Sequence, residues 1–243
     1  MSQARRRFLQ TLAAGSSAYT VPGLFAEALH QTIGLGEGPF YPDKMPLDTD
    51  NDLITINDGI TPAVGEITYL SGRLMNKSGE AIRNGYIEIW QTDTNGSYIH
   101  TGGRNTGGLD PNFQGYGRFV TDAKGNYFFR TIKPVQYVLQ GTYRCPHIHF
   151  AISKSGHRLF TTQMLVKNDP GNDRDGMVKS NRAKGEMLES VMVDFKPMPG
   201  SKLKEYTANF DIVIGRTAQE LEDGTLGIGL GKPERPRFTP AKK

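Results

Sequence analysis

The stretch Arg118-Phe119-Val120-Thr121-Asp122-Ala123-Lys124-Gly125-Asn126-Tyr127-Phe128-Phe129 decides the fold. Two short runs rich in aromatic residues flank Asp122-Ala123-Lys124-Gly125, a cluster of turn formers. That reads as strand, tight turn, strand. The same pattern repeats in both directions. Upstream, residues 67–74 end at Asn76-Lys77-Ser78-Gly79, Asn84-Gly85 opens residues 86–90, and Asp93-Thr94-Asn95-Gly96 precedes Ser97-Tyr98-Ile99. Downstream, residues 147–153, 157–166, 189–194 and 206–214 are further apolar runs of strand length. Short strands at this spacing, joined by hairpin turns, predict an all-β chain. The expected architecture is an antiparallel β-sandwich with long loops and irregular N- and C-terminal arms.

Composition agrees with many turns around one core. Of 243 residues, 29 are Gly and 14 are Pro, while 37% are hydrophobic and 22% charged. A packed core is affordable and wholesale disorder is excluded. The single cysteine, Cys145, excludes an intramolecular disulfide framework and any Cys-rich zinc or iron–sulfur site. The net charge of +4 sits at the ends. Arg5, Arg6 and Arg7 against Glu27 give the first 28 residues +2, and the last twelve residues carry +4, leaving a body of −2. A basic face for nucleic acid is therefore not expected.

The chain divides into four parts by composition. Residues 1–28 start Ala4-Arg5-Arg6-Arg7-Phe8-Leu9-Gln10 and continue mildly apolar, the order of an export signal. The paired arginines are of the twin-arginine type, and Ala26-Glu27-Ala28 offers a cleavage site. Gly15, Ser16, Ser17 and Ala18 make this segment too weakly apolar for a stable membrane span. A periplasmic or otherwise exported protein is expected; the alternative is a short basic helix in a cytoplasmic one. Residues 29–64 form an N-terminal arm rich in Asp and Pro, residues 65–215 the catalytic β-sandwich domain, and residues 216–243 a tail with one helical turn near 218–221. The Gly-rich residues 101–117 make a loop long enough to suggest function.

His147-Ile148-His149 is the strongest chemical signal. Side chains alternate along a strand, so both imidazoles share one face while Ile148, Phe150 and Ile152 share the other. Two imidazoles on a rigid element are half of a metal site; alone, the pair is equally read as solvated or hydrogen-bonded histidines. His100 adds a third histidine nearby, and acidic residues to complete such a site are scarce. Tyrosines are not: Tyr98, Tyr116, Tyr137 and Tyr143 all fall between Trp90 and His147. A phenolate is a hard anionic oxygen and favours a hard ion of high charge, such as Fe(III).

The blocks Gly38-Pro39-Phe40-Tyr41, Glu88-Ile89-Trp90-Gln91-Thr92-Asp93, Gly96-Ser97-Tyr98-Ile99-His100, Leu109-Asp110-Pro111-Asn112-Phe113, Thr121-Asp122, Thr131-Ile132-Lys133-Pro134, Arg144-Cys145-Pro146-His147-Ile148-His149-Phe150 and Thr161-Thr162-Gln163 follow one another in order. In this the chain resembles the intradiol ring-cleavage dioxygenases, most of all the iron-bearing protocatechuate-cleaving chains. The resemblance runs from about residue 65 to residue 215 and implies a non-haem Fe(III) enzyme. Such an enzyme inserts both atoms of O₂ into a catechol and yields a cis,cis-muconate. It implies Tyr98, Tyr137, His147 and His149 as metal ligands. Tyr137 would be the ligand that leaves to take a substrate proton. Arg144 and Gln163 would be the polar groups facing the substrate, Trp90 a packing residue, and residues 38–41 one wall of the pocket.

Some positions depart from the family. The order Arg144-Cys145-Pro146 places the proline one residue later than usual, the segment from Tyr137 to His147 is short, and Leu139 and Asn105 replace aromatic residues. These departures bear on the substrate more than on the reaction. Family members that pair unlike chains leave both homo- and hetero-oligomers open. The competing reading is an exported β-sandwich that binds a ligand and holds a metal incidentally.

Overall fold

A computed structural model describes residues 29–57, 59–214 and 232–233. The export signal expected over residues 1–28 and the helical turn expected near 218–221 lie outside the described residues. The elements begin with β1 (Ile67–Asn76), β2 (Tyr86–Trp90), β3 (Tyr116–Val120), β4 (Asn126–Ile132), β5 (Tyr137–Leu139) and β6 (Thr142–Arg144). They continue with β7 (His147–Lys154), β8 (His157–Val166), the helix Gly176–Ala183, β9 (Met192–Val193), β10 (Lys196–Pro197), β11 (Tyr206–Asn209), β12 (Ile212–Ile214) and β13 (Lys232–Pro233).

Two sheets form the expected sandwich. One has the order β13-β8-β7-β2-β3 with β9 added on β8. The other has the order β10-β11-β1-β12, with β4 on the opposite side of β1. The central pairings are antiparallel, while β11 and β12 run parallel to β1 and β9 parallel to β8. The core lies between the sheets. Ile87, Ile89, Ile148, Phe150 and Ile152 enter it from one side, and Leu70, Leu74 and Phe129 from the other. Ring contacts cross the gap: Tyr127 to Phe150 at 6.2 Å and Phe150 to Phe210 at 5.0 Å.

The opening stretch forms its two strands, but they do not pair. β3 hydrogen-bonds to β2 in one sheet and β4 to β1 in the other. Residues 122–125 are thus a corner between the sheets and not a hairpin. Tight hairpins occur elsewhere. β5 and β6 are joined by Gln140-Gly141, with φ of 51° and 75°, and β7 and β8 by Ser155-Gly156, with φ of 48° and 75°. Two successive positive φ values define the type I′ turn, whose twist matches that of antiparallel strands.

Three further expectations are corrected. Ser97-Tyr98-Ile99 is loop, because Asp93 captures the backbone N–H of Asn95 and Ser97 and curls the chain. Residues 189–194 are mostly the 3-10 turn Leu188–Val191, followed by the short β9. Residues 206–214 are two strands, broken where Phe210 donates its N–H to the Ser71 carbonyl.

The described residues of the stretch 29–64 carry no regular element apart from one isolated bridge, yet they are not an appendage. Leu35, Leu53, Ile54 and Ala63 belong to the core, and Leu35 donates its N–H to Thr161 of β8. Residues 38–41 of this segment lie over the outer face of the six-stranded sheet, where the histidines of β7 emerge, while residues 51–53 run beside β4 of the other sheet.

Candidate metal centre

Strand alternation on β7 sends Ile148, Phe150 and Ile152 inward and His147 and His149 to the covered outer face. Trp90 of β2 pairs with His149, and its ring lies flat on the imidazole, at 4.8 Å and 8°. Tyr98 arrives from the loop after β2. That loop is fixed by Asp93, by Ser97 Oγ accepting from Asn105, and by Tyr98 N–H donating to Gly103. Tyr137 opens β5. Gly96, at φ +74°, lets the two segments meet, since a Cβ there would stand 2.8 Å from Cβ of Tyr137. Only glycine serves at that point.

These elements converge four donor atoms. Tyr98 Oη lies 3.0 Å from Tyr137 Oη, 3.2 Å from His147 Nε2 and 3.0 Å from His149 Nε2. The two histidine Nε2 atoms are 3.2 Å apart, and Tyr137 Oη is 3.5 Å from His147 Nε2. All four residues are buried.

The hydrogen count shows what the cluster lacks. The Cys145 carbonyl can only accept, so His147 donates its Nδ1–H there, at 2.6 Å, and its Nε2 carries a lone pair. Two hydroxyl hydrogens and at most one from His149 must serve five close contacts. Lone pairs therefore face one another, the condition a cation relieves. The spacing suits donors that share one ion at about 2.0–2.1 Å each. Among the described residues no cluster of three or more His, Cys, Asp or Glu offers a rival metal site. The set of two imidazoles and two phenols fits a hard, high-charge ion such as ferric iron.

Burial sets the charge of these groups. It raises the phenol pKa of Tyr98 well above the ordinary value, with the neighbouring Tyr137 adding to the effect. Tyr137 is also raised by burial, opposed by the guanidinium of Arg144. Burial and then Arg144 lower His147 to about 3, and burial, His147 and Arg144 lower His149 well below the ordinary imidazole value. Both imidazoles are neutral, as ligation requires.

Around the four donors sits a polar and aromatic rim. Arg144 Nη2 donates to Gln163 Oε1 at 2.5 Å, and Gln163 Nε2 donates to the Gly36 carbonyl at 2.8 Å. Phe40 stacks on Tyr98 with centroids 5.2 Å apart. Gly38, at φ +73°, lies against His149; a Cβ there would sit 3.2 Å from Cε1. Residues 38–41 thus form one wall of the site.

The structure brings together Tyr98, Tyr137, His147, His149, Arg144 and Gln163. It leaves other candidates aside. His100 Nδ1 accepts from Gly102 N–H at a turn, Tyr143 donates to Gln136, and Tyr116 donates to Glu88. Two groups escaped the sequence reading. Glu88, fully buried, accepts from Tyr41 and Tyr116 and pairs with Arg158 at 3.1 Å. Asp175, also fully buried, pairs with Arg144 at 2.9 Å. The signal for Asp175 was its place directly before Gly176-Met177-Val178, an N-cap position.

An all-β sandwich that brings two tyrosines from flanking segments over two histidines of one strand face defines a class. A family model described as Dioxygenase matches residues 36–215, about three quarters of the chain. The chain belongs to that family, among the intradiol ring-cleavage dioxygenases. It is 38% identical over 133 residues to the protocatechuate 3,4-dioxygenase beta chain of Burkholderia cepacia, covering 53% of this chain and 55% of that one. It is 30% identical over 148 residues to catechol 1,2-dioxygenase 2 of Acinetobacter lwoffii, covering 55% and 50%. The matches thus span about half the length of these relatives. Catechol 1,2-dioxygenase from Acinetobacter sp. ADP1 has the same fold, with a TM-score of 0.60 at 23% identity over 94% of this chain and 74% of that one. So has the dioxygenase domain of a carbohydrate-binding fusion from Streptomyces sp. SirexAA-E, at 0.56 and 22% over 77% and 100%.

Proposed function

We propose that the protein is a non-haem Fe(III) intradiol dioxygenase. It opens a catechol-type ring, protocatechuate-like in the first instance, between its two hydroxylated carbons. Both atoms of O₂ enter the product, a cis,cis-muconate. The observation that carries this reading is the convergence of Tyr98, Tyr137, His147 and His149 with more lone pairs than hydrogens to fill them. Ferric iron held by these four residues supplies Lewis acidity to the bound diol.

The protein's own groups do the rest. Tyr137 would be a phenolate when it holds the ferric ion, and its Oη is then placed to take a substrate hydroxyl proton, since it lies at the edge of the cluster and faces the charge of Arg144. Trp90, Phe40 and Gly38 pack on His149 and Tyr98 and hold these two rings still. The Arg144 guanidinium, anchored by Gln163 and Asp175, stabilises negative charge as it develops on the ring. The arm over residues 29–64 excludes water from one side. The catalytic unit of this reading is residues 65–215, with the arm as its cover.

Export is the compartment proposed with this function, resting on residues 1–28. Among the described residues no helix is long and apolar enough to cross a membrane. Nucleic acid is not a partner in this reading. The test is O₂ uptake and product analysis by the iron-loaded full chain, offered protocatechuate, catechol and hydroxyquinol in turn. Uptake of one O₂ per ring opened to a muconate supports the reading, and the fastest diol names the substrate. Catechol binding with no O₂ consumed overturns it in favour of a binding module.

A further inference from the structure

The positive charge of Arg144 acts on all four donors. What holds it is the carboxylate of Asp175. Asp175 is fully buried, and its two oxygens divide their work. Oδ1 accepts from the backbone N–H of Met177 at 2.8 Å and of Val178 at 3.2 Å, capping the helix Gly176–Ala183. Oδ2 accepts from Arg144 Nε at 2.9 Å and from Cys145 N–H at 2.9 Å. Cys145 in turn offers its carbonyl to His147 Nδ1. One carboxylate oxygen therefore fixes both the guanidinium and the residue that orients a proposed ligand.

We propose that Asp175 is a positioning residue: from the end of the helix it clamps Arg144 against Gln163 and sets the direction in which the guanidinium faces the bound diol. For the task of Arg144 this rests on the intradiol reading; for how Arg144 is held it does not. A cap alone would not need a carboxylate, since Asn and Ser serve an N-cap as well. An amide at this position keeps one oxygen for the helix but turns an NH₂ towards two further donors, Arg144 Nε–H and Cys145 N–H. The Asp175→Asn variant thus separates the two roles.

The experiment combines kinetics with a readout that needs neither iron nor turnover. In the iron-loaded full chain, Asp175→Asn is expected to lower kcat by roughly 10–100-fold, the range for groups that orient an active-site residue, while KM moves little. In an Arg144→Ala background the same change is expected to add much less, only what runs through Cys145 to His147. In the metal-free chain, hydrogen exchange of the Arg144 Nε–H, followed by NMR, is expected to be slow in the wild type and fast in Asp175→Asn. An Arg144 Nε–H equally protected in both would overturn the proposal. So would an Asp175→Asn loss that persists in full without Arg144. Should Asp175→Asn not fold, Asp175→Ser, which also keeps a capping oxygen, takes its place in every arm. If the wild type consumes no O₂ with any diol, the proposed function fails, and the exchange measurement still decides the link between Asp175 and Arg144.

Discussion

Two buried polar clusters share the outer face of the six-stranded sheet. In one the carboxylate at the centre is fully met, with only Arg158 Nε left without a partner; in the other the contacts outnumber the hydrogens. Around Glu88 both carboxylate oxygens are met: Tyr41 and Tyr116 donate to Oε1, and Arg158 to Oε2, with Glu37 on the other arm of the guanidinium. Around Tyr98 five close contacts compete for at most three hydrogens. The clusters are neighbours, since Tyr41 packs edge-on against Trp90 at 5.1 Å and Trp90 stacks on His149. Buried polar groups that satisfy one another specify structure. A buried set that cannot satisfy itself is waiting for a ligand. The Glu88 cluster latches residues 37–41 to the sheet, and that latch places Gly38 and Phe40 on the rings of His149 and Tyr98.

The contrast breaks most sharply at His147. His147→Ala should abolish the colour of the iron-loaded protein and cut turnover by at least about 10³-fold, the equivalent of losing several kcal/mol of Lewis-acid stabilisation. Absorption spectra and O₂ uptake read this directly. Tyr137→Phe should retain iron, shift the visible band and slow turnover by roughly 10²-fold, the scale of a lost proton acceptor. An unchanged rate and spectrum would remove Tyr137 from the site.

The other cluster should answer in stability instead. Glu88→Gln removes one of the two carboxylates on Arg158 and leaves it the pair with Glu37, at a cost of about 2 kcal/mol. Urea unfolding should show it, with the visible band of the loaded protein kept. A Glu88→Gln protein that unfolds like the wild type would dissolve the distinction between the clusters. The smallest effect is expected from Gly38→Ala. Its φ of +73° and the nearby His149 ring put the cost at about 1–2 kcal/mol, with a slight shift of the band.

Most of this was readable where one physical rule acts locally. Alternation along residues 147–152 set the two histidines against a core of Ile148, Phe150 and Ile152, and the structure keeps that division. β2 has its expected bounds, and β8 spans the expected residues 157–166. Turn chemistry was less telling. Asp122-Ala123-Lys124-Gly125 stops one strand and starts another whether the second returns beside the first or crosses to the facing sheet. Only the pairing of β3 with β2 and of β4 with β1 decides between them. The helix Gly176–Ala183 was hidden because Val178 is its only fully buried residue, so it shows little apolar periodicity. With it went Asp175, whose value lies in contacts 30 and 31 residues away in sequence. The quartet of donors became visible through the order of the motif blocks; their spacing in space is a product of the fold.

The central claim is that Tyr98, Tyr137, His147 and His149 together hold one ferric ion. Its most direct test is a titration of the purified, metal-free full chain with ferric iron under the spectrophotometer. The account predicts a red-brown tyrosinate-to-iron band that saturates at one iron per chain and moves when a catechol is added. Iron that binds without colour, or colour that survives in the Tyr98→Phe, Tyr137→Phe double variant, would contradict it.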